Sequence, residues 1–314
     1  MRSCIFLPAL LCIYILPAAA QERLITCRSE RNADNSISIF SDSQAYGEYT
    51  MKLVFSSFNG YRSSSLMISN YTLATVMRGQ KELLKLTPDK QASSFSYQYT
   101  YQYFPGRALR KSPDSAFLYL LPAAAGKQLL ISKVNAIEDW IGQKRPEEFY
   151  GAGFIYHLGD TICAARAGTV YECSDAVKEG EQGAQTYKSG RNNIAVQQRD
   201  GSICRYEALA PIRLLVSAGD EVLPGKPLAV FNKESEKLIV LFSAYYLDEK
   251  KLSLYKSGEN ISSSYNYIYI PLHFYTGDNN NSSAIQVNKL YTVQHPKDIV
   301  AAEMSKKEKK KLGY

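Results

Sequence analysis

The sequence predicts an all-β protein with two β domains behind an export signal. Three observations carry the prediction. Period-two runs such as SYQYTYQYF recur, strand-like segments are bounded by Gly, Pro, Asn and Ser, and the C-terminal half holds two pieces with the Gly-turn grammar of tight β-hairpins.

Residues 1–20 carry one charge, Arg2, then an apolar stretch from Ile5 to Pro17 and the run Ala18-Ala19-Ala20. This is the pattern of a secretory signal with cleavage before Gln21. The stretch is short for a membrane span of about 20 residues, and no later segment comes close, so no transmembrane segment is expected after signal removal. Leu11 before Cys12 argues against lipidation, which needs a small residue there. The remaining 314 − 20 = 294 residues suffice for two domains. Loss of Arg2 takes the formal charge from +7 to +6. Without a dense Lys/Arg face outside the C-terminal tail, nucleic acid is not an expected partner.

Residues 21–125 read as a β-sandwich of the immunoglobulin-like kind, with strands at SISIF, YTMKLVFSSF, SYQYTYQYF and AFLYLLP. Tyr97, Tyr99, Tyr101 and Tyr103 share one strand face. Packing into the domain's own core is the common use of such a row, and stacking on sugars the other. Residues 126–148 read as a linker containing Trp140, residues 149–249 as a β-roll, residues 250–298 as sheet-completing strands and loops, and residues 299–314 as a solvated basic tail. Of the cysteines left after signal removal, Cys27, Cys163, Cys173 and Cys204, three lie in the roll. Export permits disulfides, and Cys163 and Cys173 flank the expected hairpin at Gly168, so a bridge among Cys163, Cys173 and Cys204 is expected. Buried free thiols are the alternative.

The two informative pieces are GDTICAARAGTV and VSAGDEVLPGKPLAVF. Biotinyl/lipoyl carriers share this grammar but present a modifiable Lys at the hairpin tip, which here reads Ala165-Arg166-Ala167-Gly168. Between the pieces lies NNIAVQQRDGSICRYEAL, a strand, a Gly turn and a Tyr-containing strand. In this arrangement residues 149–249 resemble the β-roll, built on a duplicated hybrid motif, of lysostaphin/LytM-type zinc endopeptidases. That family holds zinc through His-x-Gly-x-Asp and the second His of a later His-x-His. The first His of that pair and a Tyr-x-His-Leu histidine assist. Such donors leave one open position for an activated water. Here Tyr150-Gly151-Ala152-Gly153-Phe154 matches the first motif, Tyr206-Glu207-Ala208-Leu209 the helper motif, and Ile239-Val240-Leu241 the paired histidines. The resemblance therefore puts Tyr150, Phe154, Ala208, Ile239 and Leu241 at the positions of a degenerate metal site. None carries a metal-donor side chain of that family, so no metal and no cofactor is expected, and the five residues are expected to line a binding groove instead.

His157 and Asp160 are three apart instead of four, and His273 sits in PLHF without the paired histidine. A site assembled from His157, Asp160 and His273 would make the chain an active zinc metalloendopeptidase with displaced ligands. G-x-S-x-G, P-loop and H-E-x-x-H motifs do not occur. The resemblance implies a non-catalytic, peptidase-like envelope protein, periplasmic or extracellular, whose partners are a peptidoglycan peptide or an envelope protein and which regulates a hydrolase. A structural or adhesive surface protein is the third reading.

Overall fold

Residues 24 to 105 alternate apolar and polar side chains along seven strands and fold as a two-layer sandwich. They are β1 (Ile25–Arg31), β2 (Ile37–Ser43), β3 (Tyr49–Asn59), β4 (Tyr61–Ser63), β5 (Tyr71–Val76), β6 (Gly79–Pro88) and β7 (Ser96–Pro105). In this computed structural model the described residues are 24–64, 70–132, 149–175, 192–233, 238–254, 266–277 and 285–314. Residues 1–20, read above as an export signal, Trp140 with most of the expected 126–148 linker, and parts of the polar segments beyond residue 254 lie outside them. One layer has the order β1-β2-β6-β4 and the other β5-β3-β7, all antiparallel. Ile25, Ile37, Ile39, Leu84 and Leu86 from the first meet Met51, Leu53 and Phe55 from the second in one buried cluster. The four-plus-three count is that of an immunoglobulin constant domain, but the order is not. There the fifth strand joins the first layer, whereas here β6 takes that place and β5 pairs with β3.

The tyrosine row packs inward. Tyr99, Tyr101 and Tyr103 stand opposite Phe55, Leu53 and Met51, and with Tyr97 they lie half-buried against the sandwich core.

The second half is built on one large antiparallel sheet. Its strands are β9 (Gln128–Ser132), β10 (Gly151–Ile155), β12 (Gly168–Ser174), β13 (Asn192–Gln197), β14 (Ile203–Ala208), β16 (Glu221–Val222), β18 (Ile239–Leu247), β19 (Tyr267–Tyr269) and β21 (Leu290–Thr292). The order is β16-β12-β13-β14-β18-β10-β9-β21, with β19 pairing farther along β18. A smaller sheet of β11 (Thr161–Cys163), β17 (Pro227–Phe231) and β15 (Ile212–Leu214) packs on its inner face. So does the parallel pair β8 (Leu118–Leu120) and β20 (His273–Tyr275). Ile131, Phe154, Ile194, Val196, Tyr206, Val240 and Phe242 from the large sheet share this core with Tyr119, Ile162, Leu228, Phe231 and Phe274. The outer face meets the sandwich at one end, where Tyr171, Ala195, Ile203 and Tyr245 join the sandwich core. No helix among the described residues is long and apolar enough to cross a membrane.

Three sequence expectations need correction. First, β8 and β9 fall within or across the proposed 21–125 and 126–148 segments, yet both belong to the second core. Their apolar residues read equally well as sandwich strands, and only their partners distinguish the two. Second, no hairpin forms at Gly168: β11 pairs with β17, while β12 pairs with β13 and β16. Cys163 and Cys173 therefore sit in different sheets, and all four described cysteines are free thiols. Burial pushes Cys163 up to about 12 and raises Cys204 as well.

Third, the 299–314 tail is docked and not merely solvated. After α1 (Glu249–Leu254), two short helices, α2 (Lys297–Val300) and α3 (Lys306–Leu312), close the chain. Val300 and Ala301 are buried. Between the helices, Glu303 reaches the buried Arg166 guanidinium at 2.5 and 2.9 Å. Arg166 also donates to Asp200 at 2.8 Å and Ser202 at 3.1 Å, and lies 3.8 Å from the Phe117 ring centre. A guanidinium can be kept in such a place only when its donors are matched in this way.

Candidate functional site

β14, β18 and β10 lie side by side at the centre of the large sheet, so the three segments that carry the family resemblance are neighbours. Register decides which way their side chains point. Ala208 stands opposite Val240, and Val240 opposite Phe154. One residue along, Glu207 stands opposite Leu241, and Leu241 opposite Gly153. Successive side chains on a strand point to opposite faces, so these two rows look in opposite directions.

The five residues expected to form one groove therefore divide. Phe154 and Ala208 face the inner core, where they are 0% and 4% exposed and the Phe154 ring packs 5.4 Å from that of Phe274. Ile239 and Leu241 face outward, Ile239 half-buried and Leu241 buried. Tyr150 precedes β10 and is exposed. The expected convergence of Phe154 with Leu241 on one side of the sheet is not found. The cause is a one-residue offset in the carried-over motif, which on a strand moves every side chain to the other face.

The outward register reads Phe149-Tyr150-Gly151-Ala152-Gly153, which keeps a glycine at the third place of the family motif. Its two ends, Phe149 and Gly153, are no better as donors than Tyr150 and Phe154. Phe149 itself precedes β10, which begins at Gly151. Phe149 has a different task. A Cβ on Gly151 would lie 2.4 Å from its ring, so the absence of a side chain there lets Phe149 lie against the strand. Its ring centre is 4.6 Å from that of Tyr269.

Around this point the outer face is polar. Arg205 stands opposite Ser243, and Asn193 opposite Glu207. Arg205 Nε lies 3.1 Å from Glu207 Oε1. Asn193 Nδ2 donates to Glu172 Oε1 at 3.1 Å, while the buried Asn193 Oδ1 has no partner among the described residues. Burial raises the Tyr171, Tyr245 and Tyr267 phenols, so they remain neutral hydrogen-bonding groups beside Arg205. Glu172, Asn193, Arg205, Glu207 and Ser243 thus form a strip of donors and acceptors rimmed by the Phe149–Tyr269 pair. The motif match passed over this strip, although the alternation Ile239, Leu241, Ser243, Tyr245 against Val240, Phe242, Ala244, Tyr246 was a signal for two unlike faces.

Among the described residues no three His, Cys, Asp or Glu side chains come together in a way that could hold a metal. His157, Asp160 and His273 do not assemble. Asp160 is instead committed to its own turn, accepting from the His157 N–H at 2.9 Å and pairing with Lys127 at 2.8 Å. Burial would raise its carboxyl, but Lys127 and the His157 N–H outweigh burial and hold it below the ordinary range. His273 lies on β20, opposite Leu118 of β8.

No protein-family profile and no curated protein sequence matches the chain. Among solved structures it is similar to a zinc containing peptidase from Vibrio cholerae, at 12% identity over 69% of this chain and 81% of that one, with a TM-score of 0.24. It is also similar to Helicobacter pylori Csd3. The orthorhombic crystal matches at 12% identity over 91% and 82%, and the hexagonal crystal at 13% over 71% and 71%, each with a TM-score of 0.26. Likeness at this level assigns no site and no activity. The all-β class rests on the strands and sheets themselves.

Proposed function

We propose that this chain is a non-catalytic, peptidase-like protein of the cell envelope that binds a cell-wall peptide or a partner protein on the outer face of its large sheet, and so regulates a hydrolase. The observation that carries the reading is the row Glu207, Leu241, Gly153 with its neighbours Arg205, Ser243 and Gly151. It crosses the three strands where the resembled family keeps its metal; Leu241, Gly153 and Ser243 are buried, and the half-buried Arg205 and Glu207 with the exposed Glu172 offer the hydrogen-bonding groups, with no set of metal donors among the described residues. Peptide hydrolysis near neutral pH needs a water activated by a metal or by a positioned base. Holding an extended peptide needs only donors, acceptors and an aromatic rim. Export to the periplasm or the outside of the cell belongs to the same proposal and rests on the pattern of residues 1–20.

The test uses the mature chain and soluble peptidoglycan peptides. Saturable binding without turnover is expected, weakened roughly tenfold by combining Glu172→Gln with Glu207→Gln, the effect of losing charge-assisted hydrogen bonds. Hydrolysis that stops with chelator and returns with zinc would overturn the reading. So would binding indifferent to both substitutions.

A further inference from the structure

A cleft of about 830 Å³ lies where the sandwich, the large sheet and the C-terminal helix meet. It is far from a featureless seam. Its floor is tied across the two halves by one amide: the Glu48 N–H donates to Gln197 Oε1 at 2.6 Å, and Gln197 Nε2 donates to the Glu48 carbonyl at 3.3 Å. Its walls carry three arginines from three parts of the chain: Arg78 after β5, Arg107 after β7, and Arg199 in the β13–β14 turn. Met77 and Leu223, both exposed, supply apolar surface beside them.

The three guanidinium groups differ in what they hold. Arg78 lies over the Tyr46 ring, its Cζ 4.1 Å from the ring centre, in a cation–π contact. Arg107 approaches Glu48 only to 3.8 Å. Arg199 is taken by the chain's own C-terminal helix. It pairs with the Glu308 carboxylate and donates to the Glu303 carbonyl at 3.3 Å, and Leu312 lines the adjoining small cavity with Leu223. That segment shows the chemistry the walls accept: a carboxylate on a guanidinium, a backbone carbonyl beside it, and an aliphatic side chain on Leu223.

We propose that this cleft is a second binding site, distinct from the outer-face strip, which takes a short peptide through its side-chain or terminal carboxylates at Arg78 and Arg107. The size is that of a small-ligand site, and the fixed floor lowers the ordering cost of binding. A peptide fits better than a polyanion because Glu48, Glu221 and Glu308 stand on the same walls. A ligand charged at every unit meets them, whereas sparse carboxylates can be placed on the arginines alone. Glu308 then acts as an internal competitor for the third arginine.

The experiment titrates the mature chain with acetyl-Ala-Glu-Ala-Leu, its Gln counterpart with an amidated C-terminus, and inorganic polyphosphate, followed by calorimetry. Saturable binding of the Glu peptide is expected, weakened at least about tenfold both by the Gln counterpart and by Arg78→Gln combined with Arg107→Gln. Glu308→Gln frees Arg199 and should tighten binding several-fold. An unchanged melting temperature in the double variant shows that the fold is kept. Equal binding of the two peptides, indifference to the double variant, or polyphosphate binding tighter than the Glu peptide would each overturn the proposal. Glu172→Gln and Glu207→Gln should leave this titration unchanged, which separates its failure from failure of the outer-face reading.

Discussion

Strand β18 runs through the centre of the large sheet, and its two faces meet different surroundings. Val240, Phe242, Ala244 and Tyr246 point into a core shared with Phe154, Tyr206 and Phe274. Ile239, Leu241 and Ser243 point the other way, among Glu207, Arg205, Gly151 and Gly153. The inner face is apolar and close-packed, so its residues are replaceable only by others of similar volume. The outer face mixes charges, hydroxyls and glycines, and its residues answer to whatever lies against them. A residue placed on the wrong face by one position is thus credited with the wrong role altogether, and this is what befell Phe154 and Ala208.

The sharpest test of the two faces is truncation. Phe154→Ala removes a fully buried ring and should cost about 3–5 kcal/mol of stability in denaturant unfolding. Ile239→Ala on the half-buried outer side should cost about 1 kcal/mol. Equal losses would break the assignment of faces. The core layer admits a charge only where it is fully matched, as at Arg166. Glu303→Gln should cost about 2–3 kcal/mol, below the usual cost of breaking a buried pair because Asp200 remains, and should release the tail to proteolysis. A variant as stable as the parent would show that the clamp is decorative.

Smaller effects follow from the exposed pair at the edge of the cleft. The hydrogen bond from Arg199, followed by the Ser305 N–H, lowers the Glu308 carboxyl from 4.5 to about 2. A lowered folded-state pKa means that the contribution is present above about 4.5 and is lost as pH falls toward about 2. Protease release of the C-terminal helix should therefore increase over that window, and Glu308→Gln should remove the dependence while leaving the global melt nearly unchanged. Smallest of all is the response to reductant. With Cys27, Cys163, Cys173 and Cys204 free, the melting temperature should not move, and thiol titration of denatured, unreduced mature protein should count four. A drop on reduction would reinstate a bridge.

Turn residues and period-two alternation made the strands legible, because both act over a few neighbouring positions. The row Tyr97 to Tyr103 could be placed on one strand face from spacing alone, and its packing into the sandwich core follows from aromatic burial. The order of β5 and β6 could not be read. Two strands of similar character compete for the place between β2 and β4, and the winner is decided by contacts with strands distant in the chain. β8 and β9 passed for sandwich and linker for the same reason.

By itself, then, the sequence determined the β class and the alternation along each strand, since these depend on residue type and local spacing. Only the tertiary structure decided which face of β10, β14 and β18 packs into the inner core, that β11 and β12 go to different sheets and leave their cysteines apart, and that the basic tail folds back through Glu303 and Glu308 onto Arg166 and Arg199. Strand register and long-range ion pairs are settled by the simultaneous burial of many residues, and no short stretch of chain contains that information.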